Sequence, residues 1–244
     1  RAVAERKPIS AAPLIGGDGK TRESRITLSP IDGAETGSVS DATREDIARA
    51  IARARASQPD WDRIGGPARA EVLRKMADAL ETERERLIAI LTREGGKTYP
   101  DGISEVREAA DFCRYYARIA ETEFVPKALP GPAGERNLLS LHGRGVFACI
   151  SPWNFPLAIF TGQIAAALAA GNSVVAKPAE QTPRIAQAAV ELFYHAGLPR
   201  EVLQLALGDG DVGAALVSDA RIAGVAFTGS TEVARAINRR LAAR

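Results

Sequence analysis

This chain has too little cysteine to build a disulfide framework or a thiolate metal cluster. Its 244 residues include two cysteines. Both, Cys113 and Cys149, lie in apolar surroundings and match neither a disulfide pattern nor a zinc spacing. The expected compartment is a reducing cytoplasm, and no metal site is expected. The two histidines, His142 in a turn and His195 on a helix, read as structural. No excess of one charge exists either. The net charge of +2 gives neither nucleic acid nor an anionic membrane a reason to bind. Runs such as Glu83-Arg84-Glu85-Arg86 alternate in sign, as on a solvated helix face. Long hydrophobic runs are missing too. The longest, residues 164–170, is far short of the ~20 residues that cross a bilayer, and Arg1 to Ser10 lacks the apolar core of a signal peptide. No internal repeat or low-complexity segment stands out. The remainder, 45% hydrophobic and 25% charged, is an ordinary globular balance with room for one large domain or two modest ones.

Four segments are expected. Residues 1–40, rich in Gly, Pro, Ser and Thr, read as strands and turns, with apolar patches at Pro13-Leu14-Ile15 and Arg25-Ile26-Thr27-Leu28. Residues 41–125 read as helical. A first helix starts near Asp41 or Thr43 and carries Ile47, Ile51 and Ala54 at helical spacing. A longer one follows Gly66-Pro67 with the stripe Leu73, Met76, Leu80, Leu87 and Leu91, and stops at Gly95-Gly96. A third covers about 101–121, with Val106, Ala109, Ala110, Cys113, Tyr116 and Ala120 inward. Residues 126–149 hold a connector and a hairpin of strands 137–141 and 145–150 turning at His142-Gly143-Arg144. From there strands (146–150, 173–177, 202–205, 222–227) alternate with helices (157–170, 183–196, 212–217, 231–241). Such alternation predicts an α/β fold with a doubly wound, Rossmann-like parallel sheet, preceded by the helical segment.

Four strand ends carry candidate chemistry. Ser151-Pro152-Trp153-Asn154-Phe155-Pro156 follows the first strand; prolines stiffen the loop, so the Asn154 amide could donate to an oxyanion, or the loop could be only a rigid turn anchored by Trp153. Lysine is scarce, six against twenty-six arginines, yet Lys177 stands at a strand exit with Glu180 close by. The pair could hydrogen-bond a ribose, or Lys177 could simply snorkel. Gly208-Asp209-Gly210-Asp211-Val212-Gly213 fits the letters of a dinucleotide fingerprint, but two aspartates would repel a pyrophosphate, and a Gly-rich turn explains it equally. Phe227-Thr228-Gly229-Ser230 ends a strand where a helix begins. Its free amides suit a pyrophosphate, and Ser230 could equally be an ordinary helix cap.

Taken in order, Pro-Trp-Asn-Phe-Pro, Lys-Pro-Ala-Glu and Phe-Thr-Gly-Ser resemble the signatures of the aldehyde dehydrogenase superfamily. Glu94-Gly95-Gly96-Lys97 and the segment Phe112 to Ala117 extend that resemblance over nearly the whole chain. Ser10 to Ile15, Gly96 to Asp101 and Ile103 to Ala109 are most similar to the L-glutamate γ-semialdehyde (1-pyrroline-5-carboxylate) dehydrogenase module of bifunctional proline-utilisation A proteins. The resemblance implies NAD-dependent oxidation of that aldehyde to L-glutamate, in proline catabolism. It implies Asn154 as the side-chain half of an oxyanion hole, and Ile150, Ser151, Pro152 and Trp153 lining the cofactor. Lys177 and Glu180 would hold the adenosine ribose, with Glu180 favouring NAD over NADP. Gly210 and Gly213 would flank the adenine, and Phe227, Thr228, Gly229 and Ser230 would meet the pyrophosphate.

In that family a cysteine thiolate attacks the aldehyde, hydride leaves to the nicotinamide, and a Glu assists hydrolysis. Both catalytic residues lie downstream of Phe-Thr-Gly-Ser, so the expectation is a cofactor-binding part that ends before the catalytic domain and lacks activity alone. A homo-oligomer is expected of the full-length enzyme; here the segment 137–150 would be left with one unpaired edge. Two other readings stay open: an acyl-phosphate or acyl-CoA reductase of the same fold, and a non-catalytic nucleotide-binding fragment.

Overall fold

Apolar residues on both faces of a strand demand a layer on each side, and the segments Val146–Ile150 and Ser173–Lys177 are such strands. The structure, a computed structural model, describes residues 9–19 and 24–244. Most of the segment Arg1 to Ser10, and so part of the 1–40 segment, lies outside the described residues. The elements run β1 (Ile9–Ala11), β2 (Leu14–Ile15), β3 (Asp18–Gly19), β4 (Arg25–Leu28), β5 (Glu35–Val39), α1 (Arg44–Arg63), α2 (Gly65–Thr82), α3 (Arg84–Gly95) and α4 (Tyr99–Glu123). Then come β6 (Lys127–Leu129), β7 (Asn137–Leu139), β8 (Val146–Ile150), α5 (Ala158–Ala169), β9 (Ser173–Lys177), α6 (Pro183–His195), β10 (Leu203–Leu205), α7 (Gly210–Ser218), β11 (Ile222–Phe227) and α8 (Thr231–Ala242).

The main sheet has the order β11-β8-β9-β10-β2-β3. The first four strands are parallel, and β2 adds antiparallel to β10. The chain winds outward from β8 through β9 to β10, then returns to place β11 on the other side of β8. This is the doubly wound arrangement, and its switch point lies between β8 and β11, where ligands collect at strand carboxyl ends. The register is flush there: Phe227 pairs with Ile150, and Ile150 with Lys177.

Alternate residues of the central strands feed two cores. Cys149, Val174 and Ala176 face α2, α3, α4, α5 and α6 with Leu73, Leu80, Leu91, Phe160 and Phe193. Val146, Ala148 and Val175 face α1 and α7 with Ile47, Ile51, Val212 and Leu216. Each fully buried Leu or Ile contributes about 1.5–3 kcal/mol of apolar burial.

The helical N-terminal part forms as its caps dictate. Thr43 begins α1 with a capping box, its hydroxyl accepting from Asp46 N (3.1 Å) and the Asp46 carboxylate accepting from Thr43 N (3.1 Å). Asp41, the other candidate start, pairs with Arg25 instead (3.3 Å). The helix expected over 67–95 is two, α2 and α3, divided at Glu83, which leaves helical geometry with φ −93° and ψ 14°. The turn keeps Leu80 and Leu87 on one side, so the stripe stays continuous and buried.

The hairpin expected around His142-Gly143-Arg144 is not formed. Instead β7 pairs antiparallel with β6, while β8 is claimed on both sides by β9 and β11. Residues 142–145 are tied down rather than turned. The Asp62 carboxylate meets His142 Nδ1 at 2.9 Å and accepts from Gly143 N at 2.9 Å. Asn172 Oδ1 accepts from Arg144 N (2.6 Å) and Gly145 N (3.2 Å). A run buried on both faces satisfies its backbone in a sheet centre, and an exposed hairpin could not cover it.

Candidate cofactor and active site

Loops leaving β8, β9, β10 and β11 emerge at one edge, because those strands are parallel and their carboxyl ends are in register. Gln163, on α5, ties the two sides of the switch point together: its amide donates to Ile150 O (3.2 Å) and Thr228 Oγ1 (3.1 Å). Thr228 N also donates to Ile150 O (3.1 Å), and Ser151 N to Lys177 O (3.2 Å).

The loop after β8 starts and ends buried. Ile150, Ser151 and Pro156 are buried, while Trp153, Asn154 and Phe155 are exposed. Prolines at 152 and 156 fix φ at each end. Among the described residues the Asn154 side-chain amide has no hydrogen-bond partner, so its donors are free. The Ser151 hydroxyl is buried without a partner. The loop's far end is gripped from below. The Glu105 carboxylate, 1% exposed, accepts from Leu157 N (3.0 Å) and Ala158 N (3.2 Å).

At the exit of β9 Lys177 does not snorkel; it is 5% exposed. Its ammonium donates to Pro178 O (3.0 Å) and lies 3.9 Å from the Glu180 carboxylate. Burial lowers its pKa, while Glu180, Asp209 and Asp41 oppose that shift. The Glu180 side chain is 43% exposed, and its carbonyl accepts from Arg25 (2.9 Å). A second buried carboxylate, Glu94, caps the helix that follows. Its two oxygens accept from Arg184 N and Ile185 N, both at 2.9 Å. Burial pushes this carboxyl up to about 7, against the pull of those amides and of the Arg184 charge.

The fingerprint-like turn after β10 is filled by its own side chain. Asp209 is the N-cap of α7 and accepts from Asp211 N (2.9 Å), which places a carboxylate where a phosphate would sit. Gly210 opens the helix with open space around it, and a Cβ on Gly213 would stand 3.5 Å from the Lys177 stem. After β11 the situation differs. Ser230, a neutral cap, accepts from Val233 N (3.2 Å). Helix geometry leaves the amides of Thr231 and Glu232 without a partner inside α8. Thr228, Gly229 and Ser230 are exposed beside them, and Phe227 is half-buried.

Neither cysteine has access to this edge. Cys113 and Cys149 are buried, and burial pushes both thiols up to about 12, so neither is a thiolate at neutral pH. Among the described residues no group of His, Cys, Asp and Glu comes together to hold a metal ion, and no helix is long and apolar enough to cross a membrane.

Sequence reasoning assigned no role to Glu94, Glu105 or Gln163, although the first two lie in segments that carry the family resemblance. A signal was present for one of them: Glu105 shares the inward stripe of α4 with Ala109 and Cys113, an odd place for a carboxylate unless it has buried donors.

The aldehyde dehydrogenase family model matches residues 18–244. The chain belongs to the aldehyde dehydrogenase family. The bifunctional protein PutA of Escherichia coli is 48% identical over 209 residues, which are 85% of this chain and 15% of that protein. A crystal structure of bifunctional proline utilization A is 58% identical with a TM-score of 0.83, over 84% of this chain and 21% of that one. A 1-pyrroline-5-carboxylate dehydrogenase from Thermus with bound NAD is 34% identical with a TM-score of 0.93, over 98% of this chain and 47% of that one. This aldehyde dehydrogenase chain thus spans less than half the length of each of these relatives. Its likeness to PutA proteins covers most of its own residues, and its fold is that of the aldehyde dehydrogenases.

Proposed function

We propose that this chain is the cofactor-binding part of an NAD-dependent enzyme that oxidises L-glutamate γ-semialdehyde to L-glutamate. The observation that carries the reading is the exposed Asn154 amide, without a partner among the described residues, on a proline-stiffened loop at the switch point, following Ile150, which is in register with Lys177 and with Phe227 before α8. The relatives named for PutA and 1-pyrroline-5-carboxylate dehydrogenase support the choice of aldehyde.

The residues present fit a dinucleotide. Lys177 supplies a buried cation already aimed at an acceptor, and Glu180 a half-exposed carboxylate, which suits two ribose hydroxyls and disfavours a 2′-phosphate. The first turn of α8, capped by the neutral Ser230 hydroxyl, suits the pyrophosphate, where the carboxylate-capped turn of α7 does not. Ile150, Ser151, Pro152 and Trp153 form the wall toward Asn154, while Gly210 and Gly213 leave room on the adenine side. When bound, the nicotinamide supplies the hydride acceptor. The chain orients it and offers Asn154 as a donor to the aldehyde oxygen as that oxygen gains charge. The exposed leucines of the β6–β7 hairpin, Leu129, Leu138 and Leu139, support self-association of the complete enzyme.

Two results test this. Lys177→Ala should weaken NAD binding by about 1–3 kcal/mol, the range for a charge-assisted hydrogen bond, measured by titration with NAD. In a longer enzyme carrying this segment, the aldehyde KM should move less. Unchanged NAD affinity would remove Lys177 from the site. The chain by itself, offered γ-semialdehyde and NAD, should show no NADH formation, because both thiols are buried and protonated. Turnover that disappears in Cys149→Ser or Cys113→Ser would overturn that expectation.

A further inference from the structure

The helix that follows the Asn154 loop cannot cap itself. Leu157 stands at the N-cap of α5 and offers no side-chain hydrogen bond, so its first amides would be orphaned in a buried place. Glu105 fills that gap from α4, with Oε2 shared by Leu157 N (3.0 Å) and Ala158 N (3.2 Å). Its other oxygen forms an ion pair with Lys97 Nζ at 3.0 Å. Lys97 Nζ also sits 4.4 Å from the centre of the Phe155 ring, a cation–π distance. Lys97 and Glu105 therefore hold the loop at two successive points, Phe155 and Leu157, directly after Asn154. Pro156 between them is buried.

We propose that Glu105 and Lys97 are positioning residues: a buried ion pair that aims the Asn154 amide by fixing the residues immediately after it. This rests on the reading of Asn154 as an oxyanion donor. The pair makes these contacts at Phe155, Leu157 and Ala158. Its effect is geometric, and geometry is expensive to lose, since a misplacement of about 1 Å at a reacting centre can cost on the order of 10²-fold in rate. Glutamine at 105 would keep an oxygen for the two amides but would lose the charge that holds Lys97. Alanine would remove both.

The loop carries its own reporter. The chain has two tryptophans; Trp153 is 57% exposed and Trp61 is 3% exposed. Time-resolved fluorescence anisotropy therefore separates the mobile fraction of Trp153 from the buried Trp61. Glu105→Ala should lower the order of Trp153 in the 244-residue chain, with Glu105→Gln between it and the unaltered chain. Lys97→Ala, a half-buried position, should act in the same direction without uncapping α5. In a longer enzyme carrying this segment, Glu105→Ala should cut kcat roughly 10–100-fold with NAD affinity unchanged, and Glu105→Gln should recover part of it. Circular dichroism shows whether each variant is folded. If Glu105→Ala is folded with Trp153 order and kcat unchanged, the proposal is overturned. If it does not fold, unchanged Trp153 order and kcat in Lys97→Ala overturn it. A loosened loop beside a normal kcat in Asn154→Ala would leave the clamp standing and remove Asn154 from the chemistry.

Discussion

Asn154→Ala, in a longer enzyme carrying this segment, should lower kcat by roughly 10²–10³ while NAD affinity stays nearly constant. Attack on an aldehyde moves a full negative charge onto oxygen, and that charge exists only as the transition state forms. A donor aimed at it lowers the barrier instead of merely tightening the ground state. The amide of Asn154 can donate without titrating, so the effect should be flat across neutral pH. The structure meets the conditions for such a role. The side chain is exposed, no group among the described residues bonds its N–H donors, and the loop is stiffened at Pro152 and Pro156. It is also tied at Leu157 and Ala158 through Glu105. Steady-state kinetics with saturating NAD decides the matter: a near-normal kcat would count against Asn154.

The next largest effect concerns stability and pH. Glu94 is pushed from an ordinary 4.5 up to about 7, chiefly by burial. A carboxyl whose folded pKa lies above its unfolded one holds more protons in the native state across that window. Its contribution is then fully present below about 4.5 and is lost as the pH rises through about 7. The group alone should lower unfolding stability by about 2–3 kcal/mol between roughly pH 5 and pH 8. Glu94→Gln removes the titration and should flatten that slope. It also faces Ile185 N with an amide in place of an acceptor, so it should be less stable than the unaltered chain at pH 5. Chemical denaturation at the two pH values, in both proteins, measures the difference. Equal slopes would show that the Glu94 carboxyl titrates in its ordinary range. The consequence reaches the site, because Glu94 seats the start of α6, six residues beyond Lys177 in the chain.

The alternation of strands and helices from Val146 onward was legible because burial leaves a local imprint. Strands covered on both faces carry unbroken apolar runs, as in Val146–Ile150 and residues 174–176 of β9, and glycine, proline and hydroxyl residues mark the turns between them. That placed the Asn154, Lys177 and Ser230 loops at strand ends. Partnership was not legible, because a strand's pattern tells which faces are buried and not which neighbour takes its backbone groups. Hence Gly145–Ile150 read equally well as a hairpin arm, until the sheet placed it between β9 and β11. The addition of β2 to β10 was beyond reach for the same reason. The two helix starts differed already in sequence. Two aspartates set the turn after β10 apart from the one after β11, and the structure adds that Asp209 caps α7 with a charge where Ser230 caps α8 with a neutral hydroxyl. The two buried carboxylates are the clearest case. Glu94 and Glu105 meet their donors across 90 and 52 residues of chain; the inward stripe of α4 hinted that Glu105 has buried donors, but nothing in the sequence names them. The energy of burying a charge is resolved only by the amides that the fold brings to it.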